Sequence, residues 1–135
     1  MRLNLFLVIA GIAVVFYLSW LPTPFLSHVW FIPGWLGYWA DLHGTLRTGI
    51  PLAVIGVLAG TWLSAAGYPW YWWLASWLVL SGVVTLAETV QIFLPQRVFD
   101  WRDIAWGAVG AFNGLAGVAL ARNAAKSVKR RFTRP

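Results

Sequence analysis

The stretch 88–103 holds Glu88, Gln91, Arg97, Asp100, Arg102 and Asp103, side chains able to bind or move charge. The fourth and last acid of the chain, Asp41, stands upstream with His43 and Arg47. Both groups border apolar runs, and an ionisable residue at such an edge finds no solvation in hydrocarbon, so it faces a bundle interior, a cavity or a partner. Several chemistries suit these residue types. Glu88 or Asp103 could serve as a general base, with His43 as proton carrier. An Asp and Glu pair could hold a divalent cation for phosphoryl transfer. Arg47, Arg97 and Arg102 could hold a phosphate or carboxylate through charge-assisted hydrogen bonds. No nucleophile motif, H-E-x-x-H helix or phosphate-cradling glycine loop favours the enzymatic versions. The sequence names no cofactor and no metal, and Glu88 is equally well read as a polar group that fixes helix packing.

These residues must be positioned by membrane helices. Of 135 residues, 60% are hydrophobic and 10% charged, eleven are Trp, and the mean hydropathy is +0.70. That leaves too little polar surface to cover a water-soluble globule. A bilayer core about 30 Å thick requires helices of about 17–25 apolar residues, and four runs qualify, at 3–21, 50–66, 70–94 and 104–121. The predicted fold is all-α: a polytopic membrane protein with a four-transmembrane-helix bundle, residues 1–121 forming one domain and 122–135 a basic tail. Cysteine is absent, which excludes disulfides and thiolate chemistry. The first run ends without a small-residue cleavage site and is expected to be an uncleaved anchor.

Seven of the ten basic residues sit at the two ends: Arg2, then Arg122, Lys126, Lys129, Arg130, Arg131 and Arg134. Basic residues flanking spans stay cytoplasmic, so both termini are expected in the cytoplasm, the connections 22–49 and 95–103 outside, and Gly67-Tyr68-Pro69 inside. The tail is expected to lie against anionic lipid of the inner leaflet. It carries no base-reading motif, so nucleic acid is not an expected partner.

Between the first two runs, His28 to Asp41 reads HVWFIPGWLGYWAD. It is too short to span and is broken by Pro33 and Gly34, while its aromatic rings favour the headgroup level. It is expected to lie along the outer interface. A following helix that began at Asp41 would be capped by that carboxylate and would place His43 and Arg47 on one face. Pro51 would then either occupy the first turn of a helix starting near Thr48 or kink a longer one. In the third run Ser81, Thr85, Glu88 and Gln91 recur at helical spacing, a polar stripe expected to face protein or water, with Glu88 about 9 Å below Leu94. In the fourth, Asp100 is expected to cap the helix and Asp103 to occupy its first turn. Gly107, Gly110, Gly114 and Gly117 share an arc suited to close packing, as does Gly56-x-x-x-Gly60 in the second run. Asn113, in mid-span, needs a hydrogen-bond partner on another helix, for which Ser81, Thr85 or Gln91 qualify.

The pattern E-x-x-Q-x-F-x-P-x-R-x-x-D-x-x-D, followed by Asn-Gly, is present as Glu88, Gln91, Phe93, Pro95, Arg97, Asp100, Asp103, Asn113 and Gly114. It resembles the VanZ-like family of small bacterial membrane proteins, and the order of four spans extends the resemblance over most of the chain. Members often carry an Asp-Lys pair with a His one helical turn later. Here Asp41 matches, Leu42 replaces the Lys and the His stands at 43. The resemblance implies a bacterial cytoplasmic-membrane protein of the cell envelope, in a family associated with low-level resistance to teicoplanin-type glycopeptides. With it, the expected partners are the lipid bilayer, an anionic lipid or lipid-linked cell-wall precursor, and a further membrane protein. The expected ligand-binding set is Asp41, Arg47, Gln91, Arg97, Asp100, Arg102 and Asn113, with Glu88, Asp103 and His43 as the catalytic set if the protein is an enzyme.

Overall fold

The computed structural model describes residues 2–132, so Arg134 of the basic tail lies outside the described residues. Five α-helices run in the order α1 Arg2–Ser19, α2 Gly34–Leu42, α3 Gly44–Ala66, α4 Trp70–Gln91 and α5 Trp101–Phe132, with a 3-10 turn at Leu26–His28 before α2. There is no strand among the described residues. All but α2 are long and apolar enough to cross a membrane. Large apolar side chains such as Phe6, Val79, Leu86 and Leu120 are exposed on the outside of the bundle, which suits lipid rather than water. The protein is a multi-pass membrane protein.

Local chemistry explains the ends. Gly67 adopts a left-handed conformation (φ 71°) after α3, and the amides of Gly67 and Tyr68 return to the carbonyls of the last turn, closing it in Schellman fashion. Asp100 caps α5 as expected, its Oδ1 accepting the Arg102 N–H at 2.8 Å, and Asp103 occupies the first turn. α4 stops at Gln91, three residues short of the expected 94: the amides of Ile92, Phe93 and Leu94 turn to carbonyls three residues back, and Pro95 disfavours helical backbone at Leu94. Glu88 therefore sits in the last turn of α4 rather than two turns below its end.

Two helices run longer than expected. α3 starts at Gly44, six residues before the apolar run, so Pro51 lies inside it and leaves the Arg47 carbonyl without its helical partner. α5 continues through the basic residues to Phe132, and its 32 residues extend about 48 Å, well beyond a hydrocarbon core. Arg122, Lys126, Lys129, Arg130 and Arg131 thus ride on the same helix as the span.

The core lies where α3 and α5 pack along their lengths, with α4 laid against α5, α1 laid against α3, and α1 and α4 in contact with each other. Leu52, Ile55, Leu80 and Ala111 form one buried cluster, and Ala59, Leu63 and Leu115 a second. Backbones meet here: a methyl group on Gly110 would drive into the Gly49 carbonyl, and one on Gly114 into the Ala53 carbonyl. Gly56 likewise meets Ala111 of α5. Hydrocarbon supplies no hydrophobic force between helices, so this close approach is what holds the pair. Gly117 departs from the expected stripe, since nothing lies within 4 Å of where its Cβ would be. The Trp77 indole N–H, at 2.9 Å from the Ala108 carbonyl, ties α4 to α5.

Candidate functional site

The loop-bearing end of the bundle gathers the ends of α1 and α4 with the starts of α3 and α5. Arg97 is the fastener. Its Nε donates to the Leu21 carbonyl, and one terminal nitrogen donates to those of Leu18 and Thr23, at 3.0–3.2 Å. A cation on the unpaired carbonyls at the end of α1 also satisfies the negative end of that helix dipole. Burial and the field of Arg47 pull the Arg97 guanidinium below its usual value, against the opposing pull of Glu88. The Trp20 indole N–H donates to the Ala87 carbonyl, joining α1 to α4 at the same level.

Glu88 and Gln91, only 3% and 7% exposed, are the buried polar residues among the described residues. Glu88 Oε1 accepts from Gln91 Nε2 at 3.2 Å, and Oε2 accepts from the Asp100 N–H at 3.3 Å, so the carboxyl pins the 92–100 connection onto α4. The expected polar stripe divides here. Thr85 is exposed and donates to the Ser81 carbonyl one turn back, as Thr89 does to Thr85, which satisfies their hydroxyls without a second helix. Ser81 Oγ is buried and has no partner among the described residues.

Asp41 is not the cap of α3. It lies in the last turn of α2, and the residue flanking α3 is His43, which makes no side-chain cap bond. The Asp41 carboxylate instead reaches back across the chain to accept from Leu26 N–H (2.8 Å), Ser27 N–H (3.1 Å) and the Ser27 hydroxyl (2.6 Å). It clamps α2 to the Leu26–His28 turn, with Gly37 of α2 against the Ser27 backbone, where a side chain would not fit. Burial pushes the carboxyl up, but the Ser27 hydroxyl, the Leu26 and Ser27 amides and Arg47 together hold it below the ordinary aspartate value. Arg47 itself donates to the Pro24 carbonyl at 3.0 Å and lies 3.9 Å from Asp41. His43 is exposed, stacked on Trp39, with Nδ1 2.9 Å from the Trp39 carbonyl. A carbonyl only accepts, so Nδ1 carries the proton.

Two adjoining hollows result. A cleft of about 650 Å³ lies between α1, α2 and α3, walled by Val15, Leu18, Leu36, Pro51 and Ile55, with Val14, Ile50 and Val54 exposed at its lip. Its inner end reaches Arg47, Glu88, Gln91, Arg97 and Asp103. A polar vestibule of about 780 Å³ opens beside it, lined by His43, Gln96, Asp100 and Arg102. Arg47, Gln91, Arg97 and Asp103 border both. Asp103 faces Thr48 and the field of Arg47. Arg102 is exposed, and its guanidinium makes no hydrogen bond among the described residues.

The structure thus brings Arg47, Glu88, Gln91, Arg97, Asp100, Arg102, Asp103 and His43 to one end of the bundle, and sets two expected site residues apart. Asp41 lines neither hollow. Asn113 is exposed on α5, with none of the expected partners Ser81, Thr85 or Gln91. Ser27 and Thr48 were missed by sequence reasoning; each is a lone hydroxyl whose partner is distant in the chain, and no spacing rule links them. Among the described residues no group of three or more Asp, Glu and His is arranged to hold a metal ion. Compared with protein-family models, curated proteins and solved structures, the chain matches none.

Proposed function

We propose that this protein binds a membrane amphiphile with an anionic head, a cell-envelope lipid or lipid-linked precursor, with its chain in the apolar cleft and its head in the vestibule. The observation that carries this reading is the shared wall of the two hollows, where an apolar channel about as large as a typical ligand site (~300–1,000 Å³) ends on arginines. A chain would enter sideways past Val14, Ile50 and Val54 without leaving hydrocarbon. Its phosphate or carboxylate would meet Arg102, whose donors are uncommitted, and the remaining donors of Arg47. By the positive-inside rule the site faces the extracytoplasmic side of a bacterial cytoplasmic membrane, with both termini in the cytoplasm. Of the residues matching the VanZ-like pattern, Glu88, Gln91, Arg97, Asp100 and Asp103 gather at this end of the bundle, while Asn113 and Gly114 lie in mid-span; the gathered set supports a reading toward envelope lipids and teicoplanin-type glycopeptide resistance. Binding is favoured over catalysis by Glu88, because both of its oxygens already accept hydrogen bonds within the chain.

The test is native mass spectrometry of the protein in mild detergent. Wild type should retain a phosphorus-containing lipid adduct that is lost in Arg102→Ala, which removes a head contact, and in Val14→Trp, which obstructs the lip of the cleft. Arg97→Ala is unsuited, because it would release α1. An adduct unchanged in both variants places the ligand elsewhere. No adduct on wild type favours a structural subunit of an envelope complex.

A further inference from the structure

Asn113 stands apart from everything above. It lies about 13 Å along α5 from Ile104 and about 12 Å from Ala121, in the middle of the apolar run. Its carboxamide is exposed on the outer surface of the bundle, and no hydrogen bond to it exists among the described residues. Thr85 and Thr89, exposed hydroxyls of α4, satisfy themselves on their own helix. An asparagine has two donors and two acceptor sites, and lipid tails offer it none. One turn further along the same strip, Gly117 faces open space, with the small Ala116 beside it.

We infer that this strip of α5 is the contact surface for a second copy of the chain, joined by Asn113 of each copy across a two-fold axis. The carboxamide is self-complementary: each side chain can donate an N–H to the oxygen of the other, so an isologous contact satisfies both with identical residues. A second copy therefore fits without requiring any partner of different chemistry. Gly117 and Ala116 let the two helices approach closely enough for side chains of that length to meet, the arrangement by which membrane helices associate when hydrocarbon supplies no driving force. The inference does not depend on the lipid-binding reading, because the cleft lies against α1, and α1 and α5 do not pack on each other.

The experiment is energy transfer between donor- and acceptor-labelled full-length chains in lipid vesicles over a range of protein-to-lipid ratios. Wild type should dimerise. Asn113→Val should weaken association about tenfold, the scale of one to two interhelical polar bonds. Asn113→Gln should retain most of it, and Gly117→Leu should weaken it by blocking approach. Because the chain has no cysteine, Gly117→Cys gives a single thiol that should cross-link readily, whereas Ile9→Cys on the exposed side of α1 should not. A wild type that stays monomeric throughout overturns the inference and leaves the strip to lipid or to a different membrane protein. So does a dimer indifferent to Asn113→Val, or one that cross-links through position 9 and not 117.

Discussion

Removing the Asp41 carboxylate should unfasten the cover of the cleft without unfolding the bundle. Asp41→Ala deletes three hydrogen bonds, to Leu26 N–H, Ser27 N–H and the Ser27 hydroxyl. Bonds to a charged group contribute about 1.5–3 kcal/mol each when the donors are left dry. Here Leu26 and Ser27 are half-buried, so water reaches the freed donors and about 1 kcal/mol each is the better figure. The pair with Arg47 is long at 3.9 Å, with side chains 13% and 27% exposed, and adds less than about 1 kcal/mol. The total is about 3 kcal/mol, or about 100-fold in the equilibrium for lifting α2 off the Leu26–His28 turn. Hydrogen-exchange mass spectrometry in detergent reads this directly: amides of Leu26 and Ser27 should exchange about 100-fold faster, while those of α3 and α5 keep their protection. The pH dependence has a definite sign. The folded carboxyl is held below its ordinary value, so the clamp contributes fully at neutral pH and is lost only as pH falls below about 4. Asp41→Asn, which keeps an acceptor but turns an amide NH2 toward the other donors, should lie between wild type and Ala. Unchanged exchange at Leu26 and Ser27 in Asp41→Ala would refute the clamp.

Gly110→Ala should destabilise the protein by about 2–3 kcal/mol in denaturant titration, because its methyl meets the Gly49 carbonyl and forces α3 and α5 apart. Gly82→Ala, with nothing within 4 Å, should be neutral or slightly stabilising in the same titration. Glu88→Gln should lower stability by about 1–2 kcal/mol, since one of the two acceptors facing Gln91 and Asp100 becomes a donor. It should leave retained lipid in the mass spectrum within about threefold, and a variant of full stability that loses the lipid would instead place Glu88 in contact with the ligand.

The membrane class, the four spans and the Asp100 cap were legible in the sequence, because each depends on residues near one another in the chain. Length and apolarity of a run decide whether a helix can cross a bilayer, and a cap needs only an acceptor two or three residues ahead of its donors. The helix ends were less legible: α3 starts and α5 stops where the apolar run does not, since polar residues continue a helix once it is nucleated. The polar cluster was named nearly whole, but the work of its members was not. Arg97 and Asp41 read as ligands and serve as fasteners, because their partners are backbone groups brought near only by folding.

Composition and spacing thus determined what kind of protein this is and which residues are chemically unusual in it. Tertiary structure decided where each of them points. On an ideal helix Gly110 and Gly117 differ in direction by only about 20°, yet one lies against the α3 backbone and the other faces open space. Periodicity sets directions about a helix axis, but which neighbour stands in a given direction at a given height depends on how other helices cross it, and that is a property of the packed bundle alone.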